Sequence, residues 1–163
     1  MESCCTVNPA EVSAATACPA CRHSGRDVER ITLKALLRSE ALMRLEDAPY
    51  RFCPTAACAV VYFAAESVFR REDLAVPVFQ KEPEGEGTVC YCFGIAEADL
   101  RREITETGTS TAAERITALV KADRCACEVR NPQGTCCLGN VLAVVKAASV
   151  QRRETEPSLA PSR

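Results

Sequence analysis

Cysteine is the residue that most constrains the fold of this chain. Twelve of the 163 residues are cysteines, and most of them stand in closely spaced groups. Aromatic residues make up only 5% of the chain and tryptophan is absent, so an ordinary apolar core would be thin. Sulfur chemistry must therefore help to hold the fold together, as disulfides or as metal ligands.

The N-terminal segment and the charge balance bear on the choice between disulfides and metals. Residues 1–20 lack the basic start and the uninterrupted apolar stretch of a secretory signal. The longest apolar run, residues 56–65, has about half the length that a bilayer span requires. The net charge of -2 argues against nucleic-acid and anionic-membrane binding, since both need a clustered positive excess. We therefore expect a cytoplasmic protein with reduced thiols, in which the cysteines bind metal.

A charged segment rich in proline and glycine, residues 81–87, divides the cysteine pairs into two groups and predicts a linker or loop. The chain is thereby divided into a flexible N-terminal arm at 1–17, a first module at 18–80, a second module at 88–150 and a disordered tail at 151–163.

The first module predicts a mixture of short helices and strands. Leucines at helical spacing from Leu33 to Leu45 indicate a helix that Thr32 caps and Ser39 breaks in two. Residues 50–52 and 59–63 indicate a hairpin, because they are rich in β-forming residues. Further edge strands are expected at 68–69 and 76–79.

The second module predicts three helices, at 96–107, 111–121 and about 138–150. Gly108 is expected to end the first helix. Thr111 and Glu114 have the spacing of a capping box at the start of the second.

The first module contains two cysteine pairs with the spacing of a zinc site, Cys18-x2-Cys21 and Cys53-x4-Cys58. A tetrahedral zinc ion takes four thiolates, and each tight turn supplies two of them. The free energy of metal binding then becomes folding free energy, which compensates for the thin core. Residues 18–80 are therefore predicted to form a zinc-binding module.

Alternatives to this zinc site remain open at this level. The four cysteines could form two disulfides or be ordinary buried thiols, and His23 could replace one thiolate. Soft sulfur sites also accept Cu(I). The adjacent Cys4 and Cys5 on the N-terminal arm are candidates for soft-metal capture, or are thiols without a partner.

The second module carries a different cysteine pattern. One residue separates Cys90 from Cys92, which fits a zinc turn poorly but allows two thiolates on one iron of a [2Fe-2S] cluster. The second pair of ligands would come from four further cysteines: Cys125, Cys127, Cys136 and Cys137. A turn at Asn131–Gly134 folds this segment back, and the N-terminus of the helix expected from Leu138 favours an anionic cluster.

These motifs resemble a known family. Residues 90–95 (Cys-Tyr-Cys-Phe-Gly-Ile), two helices and the segment 125–137 look like the cluster-bearing branch of the CopZ copper chaperones, which is related to bacterioferritin-associated ferredoxin (BFD). The cysteine pairs of the first module resemble the zinc-binding part of the same proteins. The resemblance covers about residues 18–145.

The resemblance implies an α+β fold in which a small zinc-knuckle α/β module is followed by a helical, BFD-like [2Fe-2S]-binding module at 88–150. By position, the cluster ligands would be Cys90, Cys92, Cys127 and Cys137, with Cys125 and Cys136 as alternates. In that family the cluster is proposed to reduce Cu(II) so that Cu(I) can be handed on. The family's C-terminal heavy-metal-associated domain, with its own copper-binding Cys-x-x-Cys, has no counterpart in this sequence.

The function expected from these observations is that of an iron–sulfur and zinc protein in soft-metal handling or electron transfer. Its partners would be copper or a similar ion, and a metallochaperone, transporter or redox protein. We expect no enzyme, because the sequence has no P-loop, dinucleotide fingerprint or nucleophile triad. The alternatives are a ferredoxin-like redox or sensor partner of a reductase and a purely structural two-zinc interaction module.

Overall fold

A computed structural model describes residues 16–155 of the chain. Ten of the cysteines lie in this range, and all ten are free thiols, so the disulfide alternative is not what this structure contains. Cys4 and Cys5 lie outside the described residues.

The elements of the first half, residues 16–80, are short. They are β1 (Arg26–Val28), α1 (Arg30–Leu36), α2 (Ser39–Leu42), β2 (Tyr50–Phe52), β3 (Val60–Phe63) and β4 (Val68–Arg70). Single 3-10 turns follow at Arg71–Asp73 and Phe79–Lys81. The second half, residues 88–155, contains β5 (Thr88–Cys90), β6 (Ile95–Ala96), α3 (Glu97–Thr107), α4 (Ala112–Lys121), α5 (Cys127–Arg130) and α6 (Leu138–Thr155).

The strands of the first half form one antiparallel sheet in the order β1-β2-β3-β4. The expected hairpin is present, with Arg51 opposite Phe63. The core of this half is formed by buried aromatic side chains of the sheet and by leucines of the helical segment. It includes Leu33, Leu37, Tyr50, Phe52, Tyr62 and Phe69. The sheet therefore fixes the positions of the cysteines that flank its central strands.

Two local predictions for the first half were wrong. Residues 76–79 form no strand, because Pro77 has no N–H for a ladder and the chain enters a 3-10 turn at Phe79. Thr32 does not cap α1, which begins at Arg30 with Glu29 as its N-cap residue. Thr32 instead lies buried within the helix and donates a hydrogen bond to Glu128 O, at 2.6 Å.

In the second half, α3 and α4 both pack against α6. α3 ends at Gly108, whose φ of 84° is the left-handed conformation expected of a glycine cap. The capping box of Thr111 and Glu114 is not formed. The Glu103 carboxylate accepts the Thr111 N–H at 3.1 Å in its place. α6 continues to Thr155, past the boundary expected near 150.

The segment expected to be a linker or loop is a loop that packs against the body of the protein. The Lys81 side chain is only 4% exposed, and Glu84 pairs with Arg101 of α3 at 2.6 Å. α1 packs against α5 across the two halves. The described chain is thus a mixed α+β structure in which a small sheet and a helical group are in direct contact.

None of the helices between Thr16 and Thr155 has the length and the apolar character of a transmembrane segment.

Candidate metal centres

Two tight turns build the first centre, which consists of Cys18, Cys21, Cys53 and Cys58. The first turn is closed by hydrogen bonds from Cys18 N to His23 O, at 2.8 Å, and from Arg22 N to Cys18 O, at 2.9 Å. In the second, Cys53 directly follows β2 and Cys58 lies just before β3. Because β2 and β3 pair antiparallel, both ends of the second turn are held at the same end of these two central strands.

The four sulfurs of the first centre form a compact group in which each lies within 4.8 Å of the others. Cys18 Sγ is 3.8 Å from Cys58 Sγ, and Cys21 Sγ is 3.6 Å from Cys53 Sγ. Bonds of about 2.3 Å in a tetrahedral zinc site separate the sulfurs by about 3.8 Å. The donor set therefore fits zinc with little rearrangement, and His23 is not one of its members.

The thiols of the first centre differ in their protonation. The Thr55 hydroxyl, 3.4 Å from the Cys21 sulfur, and the backbone of His23 stabilise the thiolate and lower the pKa of Cys21 to about 5. Burial raises the pKa of Cys53 to about 12 and also raises that of Cys58. Cys21 therefore supplies a thiolate at neutral pH, whereas Cys53 and Cys58 must release protons when a metal binds.

Lys81 lies against the second turn of this centre. Its Nζ donates to Thr55 O at 2.9 Å and to Cys58 O at 3.0 Å. Burial lowers the pKa of Lys81, and the neighbouring thiols Cys53 and Cys58 oppose that shift. A metal-bound set of thiolates would therefore favour the charged ammonium at this position.

The second centre consists of Cys90, Cys92, Cys127 and Cys137, which come from four different places in the second half. Cys90 ends β5 and Cys92 lies in the turn that follows, while Cys127 begins α5 and Cys137 directly precedes α6. Cys92 Sγ is 3.6 Å from Cys127 Sγ, and Cys90 and Cys137 are buried in the same core cluster, where each shifts the pKa of the other. Each contact thus joins one cysteine of the 90–92 segment to one cysteine of the 127–137 segment.

Neighbouring thiols and burial both shift the pKa values of the cysteines in the second centre. The interaction with Cys137 lowers the pKa of Cys90 to about 7, and the same interaction raises the pKa of Cys137. Burial raises the pKa of Cys127 to about 12. The Ala126 N–H donates to Cys92 Sγ at 3.4 Å.

The two alternate ligands lie outside both sulfur contacts. Cys136 is exposed and Cys125 is half-buried. The structure places Cys92 against Cys127, and it buries Cys90 and Cys137 in one core cluster. That these four cysteines, rather than Cys125 or Cys136, are the cluster ligands stays a prediction.

Comparisons with known proteins agree with the geometry of the first centre. A family model described as a zinc binding domain matches residues 15–75, which hold all four of its cysteines. The X-ray structure of the Archaeoglobus fulgidus CopZ N-terminal domain superposes with a TM-score of 0.68 and 32% identity, over 78% of this chain and 96% of that one. This chain belongs to the CopZ N-terminal domain family.

The full-length relative is longer than this CopZ-type chain. The copper chaperone CopZ of Archaeoglobus fulgidus is 36% identical over 120 residues, which are 74% of this chain and 57% of that protein. The chain therefore spans little more than half of the relative.

Sequence reasoning missed three side chains that shape the centres of this CopZ-type domain. Lys81 lies in a charged segment that has the composition of a linker, so nothing in its neighbours indicates burial. Their positions in the sequence indicate a core residue for Tyr62 and a helix cap for Thr32, yet both side chains donate hydrogen bonds to the second half. Only the fold, which brings residues about 70 to 96 positions apart into contact, reveals these roles.

Proposed function

We propose that this domain binds zinc in the first centre and a [2Fe-2S] cluster in the second, and that it serves in the handling of copper or a similar soft metal. The observation that supports the cluster is the arrangement of the second set of sulfurs. Cys92 lies against Cys127, with the two sulfurs 3.6 Å apart, and Cys90 is buried in the same core cluster as Cys137.

A pairwise arrangement suits two metal ions better than one. Each iron of a [2Fe-2S] cluster takes two of the four thiolates, whereas a single zinc needs all four sulfurs at about 3.8 Å from one another. In this arrangement Cys92 would share an iron with Cys127, and not with Cys90 as the Cys-x-Cys spacing had predicted. Among residues 16–155, the first centre is the group whose metal-ligating atoms all lie within 4.8 Å. The second centre is more extended, which favours a cluster over a second structural zinc.

The surroundings of the second centre also suit an anionic cluster. Cys90, Cys127 and Cys137 are buried, while Cys92 is half-buried. The eighteen-residue helix α6 begins directly after Cys137, so its N-terminal dipole points toward the centre. The Ala126 N–H on Cys92 is the kind of hydrogen bond that raises a cluster's reduction potential. We infer that electrons enter and leave near Cys92, the least buried ligand.

The proposed role in metal handling is based on the similarity to a relative that is named a copper chaperone. Such a cluster exchanges one electron at a time, and the reduction of Cu(II) to Cu(I) consumes one. A partner redox protein would then supply the next electron, and a metallochaperone or transporter would receive the Cu(I). In this proposal the domain is a carrier rather than an enzyme. The alternatives are a ferredoxin-like partner of a reductase and a structural two-zinc module.

Metal and sulfide analysis of anaerobically purified protein tests this proposal. We expect about one zinc, two iron and two sulfide per chain and a red-brown visible spectrum. The Cys92→Ala variant should lose iron, sulfide and colour while retaining zinc. The matched variant Cys136→Ala, which removes the exposed thiol beside Cys137, should keep all three.

The same measurements separate the alternatives. A colourless protein with two zinc equivalents would support the structural module, and full iron and sulfide in the Cys92→Ala variant would overturn the ligand assignment. Addition of Cu(II) to the reduced protein, with a Cu(I) chelator as the reporter, should yield one Cu(I) per cluster. Salt-sensitive binding to a reductase without that reaction would favour the ferredoxin-like alternative.

A further inference from the structure

Hydroxyl groups of the first half hold the segment that carries Cys127 and Cys137. The Tyr62 hydroxyl, on strand β3, donates to Pro132 O at 2.7 Å. The Thr32 hydroxyl, on α1, donates to Glu128 O at 2.6 Å. Both side chains are fully buried, so the core around them fixes the positions of the two hydroxyls. The bond from Tyr62 to Pro132 is itself buried and shielded from water.

The loop from Asn131 to Cys136 lies tightly against the first half. Gln133 is 5% exposed, and its side chain accepts from Gln80 Nε2 at 2.6 Å and donates to Cys136 O at 3.2 Å. Gly134 has a φ of 69°, and a Cβ there would lie 2.9 Å from Val28 Cγ2. A side chain at this position would therefore push the loop away from the sheet.

The other cysteine segment of the second centre is held in a similar way. Tyr91 lies between Cys90 and Cys92, and its hydroxyl donates to Pro77 O at 2.7 Å and accepts from Phe79 N at 2.9 Å. Both segments that supply cysteines to the second centre are thus tied to residues that precede the 81–87 segment.

We propose that Tyr62 is a positioning residue for the second centre, and that the first half acts as a template that sets the spacing of Cys127 and Cys137. A free loop of this length samples many end-to-end distances, and closing it around a cluster costs conformational entropy. The hydroxyls of Tyr62 and Thr32 hold the segment in its binding conformation before the cluster is present. This inference rests on the proposed cluster function.

The Tyr62→Phe variant tests the template. It removes one oxygen atom, keeps the ring in the core and leaves the buried Pro132 carbonyl without its donor. We expect full zinc content but roughly tenfold faster loss of visible absorption to an iron chelator under anaerobic conditions. Amide hydrogen exchange in residues 131–137 should also accelerate.

Tyr50→Phe is the matched control. Tyr50 is equally buried in the same core, but its hydroxyl donates to Ser67 Oγ at 3.1 Å and accepts from Glu46 N at 3.2 Å, both within the first half. This variant should lose stability by a similar amount and keep the wild-type rate of cluster loss. Thr32→Val, which preserves the side-chain shape, is a second test of the template should Tyr62→Phe not fold.

The outcomes are distinguishable. Faster cluster loss in Tyr62→Phe or Thr32→Val than in Tyr50→Phe supports the template. Equal rates in all three variants, with a cluster present in the wild-type protein, overturn the template and leave the proposed function intact. A wild-type protein without iron and sulfide overturns both.

Discussion

Lys81 places a buried positive charge beside the site where zinc thiolates concentrate negative charge. Four thiolates leave a bound zinc ion with excess negative charge, and burying that charge is costly unless a counter-ion lies close by. The Lys81 ammonium also holds the Thr55 and Cys58 carbonyls, so it closes the second turn from outside the ligand shell. Groups that orient the ligands of a metal in this way contribute to affinity.

We expect Lys81→Met to weaken zinc binding about tenfold, because methionine keeps an apolar chain of similar length but has neither the charge nor the hydrogen bonds. Competition with a chromophoric zinc chelator at neutral pH measures this change. Lys34→Met is the control, since Lys34 is an exposed lysine on α1 of the same half. Unchanged affinity in Lys81→Met would show that the ammonium plays no part in retaining the metal.

The connection between α3 and α4 is stabilised by a carboxylate rather than by the capping box that the sequence indicates. Glu103 accepts hydrogen bonds from Ser110 Oγ at 2.7 Å and from Thr111 N at 3.1 Å. The Ser110 hydroxyl, followed by the Thr111 N–H, lowers the pKa of Glu103. The helix start is thus satisfied from a neighbouring helix, and the acceptor is a charged group.

This arrangement predicts a specific pH dependence. A carboxylate with a lowered pKa contributes stability that is complete above the ordinary glutamate pKa and is lost as the pH falls through the lowered value. Glu103→Gln should therefore be less stable by about 1 kcal/mol near neutral pH. The gap should stay constant from about pH 8 to about pH 5 and narrow only below that range.

Thermal denaturation of both proteins across this pH range measures the gap. Glu106→Gln, which changes an exposed residue of the same helix, should match the wild-type protein. A gap for Glu103→Gln that widens on acidification would contradict the assignment of the charged acceptor.

The elements that the sequence predicts well are those whose signals are local. The cysteine turns, the hairpin at Tyr50–Phe63 and the glycine end of α3 all depend on residues a few positions apart. The predictions that failed depend on distant partners. Thr32 is a residue type that commonly caps helices, but the acceptor of its hydroxyl lies 96 positions away. The residues around Lys81 in the sequence likewise give no sign of the two distant carbonyls that its ammonium binds. Patterns that span only a few residues cannot predict hydrogen bonds between residues distant in the sequence.

At the scale of the whole molecule, the two halves behave as one packed body. α1 lies on α5, the Tyr62 hydroxyl reaches the loop before α6, and Gln80 is hydrogen-bonded to Gln133 at 2.6 Å. Buried polar contacts of this kind are lost together when either side unfolds. We therefore expect the zinc-binding half and the helical half to unfold as a single cooperative unit.

Thermal unfolding followed by two probes tests this expectation. Zinc release to a chromophoric chelator reports on the first half, while far-UV ellipticity reports mainly on α3, α4 and α6, which have 11, 10 and 18 residues. The two transitions should coincide. Prior removal of zinc should lower the melting temperature by at least about 10 °C. Zinc release well before the loss of helix would show two independent units.

Because the 131–136 loop packs against the sheet of the first half, the chain cannot be divided into two independent domains without loss of these contacts. The composition of residues 81–87 is that of a linker, so a domain boundary could be placed there when the chain is divided. Division at this segment would leave the Tyr62 hydroxyl without its acceptor and expose the surfaces of α1 and α5 that face each other. Neither fragment would be a ready-made part for grafting onto another scaffold. Insertions and fusions that separate the halves would carry the same penalty.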